Sequence, residues 1–153
     1  SLFILGSGDV KYEKAMERLA SKYKGHFKFS KEFNNPLAHR LYAASDYFLM
    51  PSVFEPCGLG QMIAMRYGAL PIARATGGLK DTVFDIRKDR KSGNGLIFES
   101  VSSEQLLKTI KSAVELFRGK DFIRARKNAF NSDHSWAASA KKYLKIYKEG
   151  LNK

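Results

Sequence analysis

Apolar residues in this chain keep two rhythms, and the alternation between them predicts its elements. Short, largely apolar runs at residues 2–5, 26–29, 47–50, 70–73 and 95–98 have the length and bulk of buried strands. Between and after them, apolar positions recur at helical spacing. Residues 12–23 place Ala15, Met16, Leu19 and Ala20 on one stripe; 37–44 form a short helix, and 59–68 another, stopped by Gly68. Beyond the last strand, Ser102 or Ser103 caps a helix whose buried side is Leu106, Leu107, Ile110, Val114, Leu116 and Phe117. A further helix covers 122–130. The last runs over 136–148 with Ser135 as its cap and Trp136 as its anchor. Ala140, Tyr143, Leu144 and Tyr147 share one face of it, and Lys141, Lys142, Lys145 and Lys148 decorate the other. Residues 84–94 are rich in charge and read as a solvent-facing loop with the composition of a mobile segment. Strands and helices in this order predict an α/β fold, a mainly parallel sheet with helices on both faces.

Two strand-to-helix connections in this pattern carry candidate chemistry. The first, residues 51–60, reads P-S-V-F-E-P-C-G-L-G. Pro51 and Pro56 stiffen it, and Gly58 opens the next helix. Amide N–H groups at a helix start have no intrahelical partner and suit a phosphate. Glu55 beside them would repel a phosphate but suits hydroxyls or a developing positive charge, and a sugar nucleotide presents both. On local chemistry alone, Glu55 reads equally as an ordinary loop carboxylate and Gly58 as a turn residue. The second connection, R-A-T-G-G-L-K-D-T at residues 74–82, shifts that balance. Its Gly77-Gly78 pair permits close backbone approach to a ligand. Loops after neighbouring parallel strands face one crevice. Gly6-Ser7-Gly8 is a weaker signal, chiefly a turn that needs small residues. Phe33 lies on the connection after the second strand, either as a core residue or as a ring free to stack a nucleobase.

At 153 residues, 44% hydrophobic, the chain suits one domain with a real core. Its single cysteine, Cys57, excludes internal disulfides and reads as a small packed residue at the site. No signal-peptide pattern or membrane-length apolar run is present. The net charge of +12 invites a nucleic-acid reading, but residues 101–153 hold 12 of the 27 basic side chains against 5 acidic ones, on amphipathic helices. That is a solvated face, and no specific nucleic-acid partner is expected. His26, His39 and His134 are scattered, so no metal site is expected.

Residues 51–83, P-S-V-F-E-P-C-G-L-G-Q-M-I-A-M-R-Y-G-A-L-P-I-A-R-A-T-G-G-L-K-D-T-V, resemble the donor-binding signature of glycogen synthases of bacteria and archaea and of plant starch synthases. L-F-I-L-G-S-G-D at 2–9, A-H-R-L-Y-A-A-S-D at 38–46 and S-W-A-A-S-A-K-K-Y at 135–143 resemble the same family, with an archaeal cast. The resemblance covers essentially the whole chain. It implies a Rossmann-like three-layer domain, the C-terminal half of a two-domain GT-B glycosyltransferase, spanning residues 1–153 but lacking its first strand-helix unit. The helix over 135–150 would pack toward the absent N-terminal domain. By the resemblance, Glu55 contacts the donor glucose and helps stabilise the transferring sugar. Cys57, Gly58 and Leu59 lie at its glucose and phosphate end, and Gly60 holds the distal phosphate through its N–H. Thr76 and Gly77 line the phosphates and sugar, and Phe33 stacks the base where relatives carry an aromatic, usually tyrosine. Ile63 stands where the broader class often has a second glutamate, so no second acidic catalyst is expected.

The implied reaction is transfer of glucose from ADP-glucose or UDP-glucose to the non-reducing end of an α-1,4-glucan, with retention, in the cytoplasm and without a metal or other cofactor. The resemblance puts an arginine, a lysine and the catalytic histidine outside these residues, so the isolated chain is expected to be inactive. A gap in the sheet is expected too, where the missing central strand belongs. The chain reads as a piece of something longer. Alternatives are another retaining GT-B enzyme, sucrose synthase-like, or a non-catalytic nucleotide-sugar or glucan-binding module.

Overall fold

The computed structural model describes residues 1–151, in the order β1 (Leu2–Leu5), α1 (Val10–Lys22), β2 (Phe27–Ser30), α2 (Asn35–Ala44), β3 (Tyr47–Met50), α3 (Gly60–Arg66), β4 (Leu70–Arg74), α4 (Leu79–Thr82), β5 (Leu96–Phe98), α5 (Ser103–Leu116), α6 (Lys120–Asn131) and α7 (Trp136–Leu151). The strand runs become strands and the periodic stretches helices; α4 is an addition that spacing alone does not predict. Every strand pairing is parallel, but the strands form two sheets rather than one, β1-β2 and β3-β4-β5. The chain divides correspondingly into two units, Ser1–Ala44 and a second beginning at Ser45.

In the first unit, β1 and β2 pair in register from Leu2 opposite Phe27 to Leu5 opposite Ser30. Asp9 caps the intervening α1, its side chain accepting from Lys11 N–H at 2.7 Å. The buried residue of α1 is not on the expected stripe, where Leu19 is exposed; it is Glu13. Glu13 accepts the Gly8 N–H at 3.0 Å and pairs with Lys31 at 2.6 Å, tying the turn after β1 to the segment after β2. The Lys31 hydrogen bond, then that from Gly8, holds the Glu13 carboxyl below its ordinary range. α2 starts at Asn35, earlier than the apolar spacing indicates, because the Asn34 side chain accepts Leu37 N–H at 2.9 Å.

In the second unit β4 is central, with Leu70–Ala73 wholly buried between β3 and β5. α3 and α6 pack on each other and on β4, while α5 packs on β5. Met65, Leu70, Ile72, Leu79, Val83, Ile86, Leu96, Phe122 and Ala125 form the core. Tyr47 joins Phe117 and Phe122 in an aromatic cluster and donates its hydroxyl to Ala113 O at 2.6 Å. Burial, with the Asp46 charge, pushes that hydroxyl up to about 12.

Three expectations are corrected here. α5 buries Thr109 and Ala113, with Leu106, Ile110, Leu116 and Phe117 half-buried, while Leu107 and Val114 are exposed. Ala113 joins the core, and Thr109 is tolerated inside because its hydroxyl donates to Gln105 O at 2.9 Å. Trp136 does not anchor α7: the ring is 87% exposed and no residue of that helix is buried, although Ser135 does cap it, accepting Ala138 N–H at 3.2 Å. Residues 84–94 are not simply a solvent-facing loop, since Asp85, Ile86 and Asn94 are buried. Asp85 receives N–H bonds from Arg87 and Ile97 and a guanidinium contact from Arg87 at 2.6 Å. Asn128 closes the far end on the carbonyls of Lys91 and Gly93. Among the described residues, no helix is long and apolar enough to cross a membrane.

Burial raises the Asp85 carboxyl, but the hydrogen bonds from Arg87 and Ile97 and the Arg87 charge together bring it below its ordinary range. A carboxyl depressed in the folded state stabilises the fold in full above its unfolded value, and that contribution fades as pH falls through the folded one. Urea denaturation of Asp85→Asn is expected to show a loss of about 2–3 kcal/mol at neutral pH, less than for a fully buried pair. The discount reflects Arg87, whose side chain is 34% exposed. As pH falls below about 4 the native chain should lose stability more steeply than the variant; parallel curves would show that the pair contributes nothing.

Candidate functional site

β3 and β4 are neighbours and parallel, so residues 51–59 and 75–78 leave the sheet at the same edge. The two connections are in direct backbone contact. A Cβ on Gly77 would stand 1.6 Å from Glu55 O, and one on Gly78 would stand 2.2 Å from Cys57 O. Gly78 N–H donates to Pro56 O at 3.2 Å. The glycine pair therefore serves a close approach, as its composition predicts, but the group approached is the neighbouring loop rather than a ligand. Gly77, at φ 44°, also occupies backbone space that favours glycine.

This contact orients a run of peptide planes. The carbonyls of Glu55, Pro56 and Cys57 face the glycine turn, and Gly58 O accepts from Gln61 Nε2 at 2.7 Å. No peptide bond is cis, and in a trans peptide the carbonyl and the following N–H point in opposite directions. The N–H groups of Cys57, Gly58 and Leu59 are thus turned away from the turn and from Gln61. α3 follows at Gly60, with Leu59 as an N-cap that supplies no side-chain hydrogen bond. Among the described residues, no acceptor engages the N–H groups of Gly60, Gln61 and Met62, as expected for a first helical turn. Successive outward N–H groups of this kind make a concavity with affinity for anions.

Glu55 is half-buried on this loop, with Ser52 Oγ 3.4 Å from its Oε2. The side chain of Arg74, at the end of β4, binds the loop from below: Nε donates to Ser52 O at 2.7 Å and an Nη to Val53 O at 2.5 Å. Cys57 is exposed rather than packed; the part of it held inward is its carbonyl, against Gly78. Leu59 is exposed, Gly58 buried, and Gly60 and Thr76 half-buried; Thr76 O accepts Leu79 N–H at 3.1 Å. Glu55, Cys57, Gly58, Leu59, Gly60, Thr76 and Gly77 all lie on these two connections in the second unit. Phe33 lies in the first unit, between β2 and α2, and at 92% exposed it is not a core residue. Among the described residues, no group of three or more His, Cys, Asp or Glu side chains is placed to hold a metal ion.

Sequence reasoning misses Arg74, Gln61 and Thr82 at this site, and reads Gly78 only through its pairing with Gly77. Gln61 carried a signal in being the sole polar residue of the run 58–65. Arg74 carried none. A methyl at residue 78 has no room, so Gly78→Ala is expected to cost about 1–3 kcal/mol through forced loop displacement. Thermal unfolding measures it; an unchanged midpoint would show the loop contact to be loose.

A family model for glycosyl transferases group 1 matches residues 1–132. The glycogen synthase of Clostridium botulinum (strain Alaska E43 / Type E3) is 48% identical over 149 residues, covering 97% of this chain and 31% of that protein. That of Finegoldia magna is 41% identical over 146 residues, covering 95% and 31%. Among solved structures, the catalytic domain of starch synthase IV from Arabidopsis thaliana, bound to ADP and acarbose, matches with a TM-score of 0.82 and 35% identity, over 97% of this chain and 31% of that one. Anabaena HepE in complex with UDP-glucose shares the fold, at a TM-score of 0.66 and 22% identity over 84% of this chain and 34% of its own. The chain thus spans about a third of the length of the relatives it matches. The resemblance read from residues 51–83 holds, and with the family model matching most of its length, the chain belongs to the group 1 glycosyl transferases.

Proposed function

We propose that this chain is the donor-binding part of a glycogen or starch synthase, transferring glucose from ADP-glucose or UDP-glucose to the non-reducing end of an α-1,4-glucan with retention. The observation that carries this reading is the run of outward N–H groups from Cys57 to Leu59, continued by the free N–H groups of α3, on the same loop as Glu55. The starch synthase relative bound to ADP and acarbose supports it.

The chemical problem is departure of the diphosphate. Negative charge grows on the leaving phosphate as the glycosidic bond breaks, and the sugar becomes oxocarbenium-like. Fixed N–H dipoles around Gly58, Leu59 and Gly60 stabilise the first change without reorganising, because their carbonyls are already held. Glu55 faces the second, orienting sugar hydroxyls and favouring positive charge on the ring. Thr76 and Gly77 complete the wall next to the phosphates and sugar. Ile63 offers no second carboxylate, so front-face attack assisted by the departing phosphate is favoured over a covalent glycosyl intermediate. Phe33 supplies a flat apolar surface for the base, a contact that tolerates adenine and uracil alike. The remaining groups needed for transfer, an arginine and a lysine on the first strand-helix unit of this same domain and a histidine on an N-terminal domain, lie outside residues 1–153, so these residues alone are expected to show no transferase activity.

In the intact protein, Glu55→Ala should lower glucan elongation at least about 100-fold, roughly 3 kcal/mol of transition-state stabilisation. Radiolabelled glucose incorporation into a glucan primer measures this, and near-normal turnover would remove the role given to Glu55. Phe33→Ala should weaken ADP and UDP alike by about 1–2 kcal/mol, or roughly 5- to 30-fold. Isothermal titration with each nucleotide checks it, and an effect on neither would take Phe33 out of the site.

A further inference from the structure

Gln61 is fully buried on the first turn of α3. Its Nε2 lies 2.7 Å from Gly58 O, 3.4 Å from Cys57 O and 3.1 Å from Thr82 Oγ1. Its Oε1 is buried with no hydrogen-bond partner. An unpaired buried acceptor opposes folding, whereas a methionine of similar volume would carry no such penalty. The side chain is therefore not explained as core filling; what it contributes is the donor. Thr82 extends the arrangement: its hydroxyl donates to Gly78 O at 2.8 Å, and its own carbonyl accepts from Asn94 Nδ2 at 3.0 Å. The carboxamide also fits only beneath a glycine, since a Cβ on Gly58, which sits at φ 73°, would stand 2.5 Å from Gln61 Oε1.

We infer that Gln61 is a positioning residue for the diphosphate of the donor, acting through the peptide planes of Cys57 and Gly58. By drawing both carbonyls inward it turns the N–H groups of Gly58 and Leu59 outward, where the leaving phosphates would meet them. Thr82 holds the Gln61 amide at the correct angle and links it to Gly78 on the second connection. This rests on the phosphate reading of the loop given above. Without the donor at residue 61, the Gly58 plane is free to rotate and the Cys57 plane keeps only the packing of its carbonyl against Gly78, so an acceptor rather than a donor can turn toward the ligand.

The test uses the intact protein and ADP binding by isothermal titration at about pH 8 and about pH 5.5, each variant compared with the native protein at the same pH. Gln61→Met should bind ADP at least about tenfold more weakly at both. Gln61→Glu should match that loss at pH 8, where its carboxylate only accepts, and return to within about threefold of native at pH 5.5, where a protonated carboxyl donates in place of Nε2. Gln61→Met, which has no titratable group, should show no such recovery. Folded Gln61→Met with native ADP affinity, or folded Gln61→Glu without recovery at low pH, would overturn the assignment to Gln61 alone. Native protein that binds neither ADP nor UDP would overturn the phosphate reading itself, and this inference with it. Should both variants fail to fold, Thr82→Val decides: a several-fold loss of ADP affinity supports the linkage, and unchanged affinity ends it.

Discussion

The backbone of Glu55 to Cys57 lies so close to Gly77 and Gly78 that no side chain fits between them. That contact is the constraint on which the second unit's chemistry depends. It sets two connections from neighbouring strands against each other and decides which way each peptide plane turns. Once the carbonyls are committed inward, the N–H groups have only the outward direction left. Affinity for a charged ligand then arises from fixed dipoles, with no charged side chain required on the loop.

Holding that geometry takes support from beneath. Arg74 closes the start of the loop on the carbonyls of Ser52 and Val53, and Gln61 closes its end on those of Cys57 and Gly58. Through Thr82 and Asn94 the same hydrogen-bonded chain reaches Phe84 N–H, at the start of the segment that Asp85 and Arg87 fasten to β5. A loop that would otherwise fluctuate is thereby tied to β4, α4 and β5, the best-buried part of the molecule. Preorganisation of this kind is what a reaction limited by departure of an anionic leaving group needs, because dipoles already in place need no rearrangement as charge develops.

Much of this was legible in the residues. The alternation of short apolar runs with helical spacing gives the parallel α/β arrangement, and the Glu-Pro-Cys-Gly-Leu and Thr-Gly-Gly-Leu blocks mark the two connections and the family. Cap residues Ser102 and Ser135 act where the pattern places them, since capping depends on neighbours within a few positions. What failed were statements about which side chain is buried. Trp136, Leu107 and Val114 look like core residues by type and spacing, yet face outward, while Glu13, Thr109 and Asp85 are inside. Burial depends on what another element brings opposite a residue, and a polar group is tolerated inside once partners arrive, as Lys31 does for Glu13 and Arg87 for Asp85.

The order of strands and helices, the position of the glycine-rich connections and the family were determined by the sequence itself, because local propensity, periodicity and motif spacing act over short distances. That the Gly77-Gly78 pair faces a neighbouring backbone, that Cys57 is exposed, and that Arg74 and Gln61 support the loop were decided only in three dimensions. The glycine contact and the Arg74 bonds depend on groups separated along the chain and joined by the pairing of β3 with β4. Gln61 meets carbonyls three and four residues back, but its amide is tied to the second connection only through Thr82, and no local pattern records which carbonyl a donor will meet.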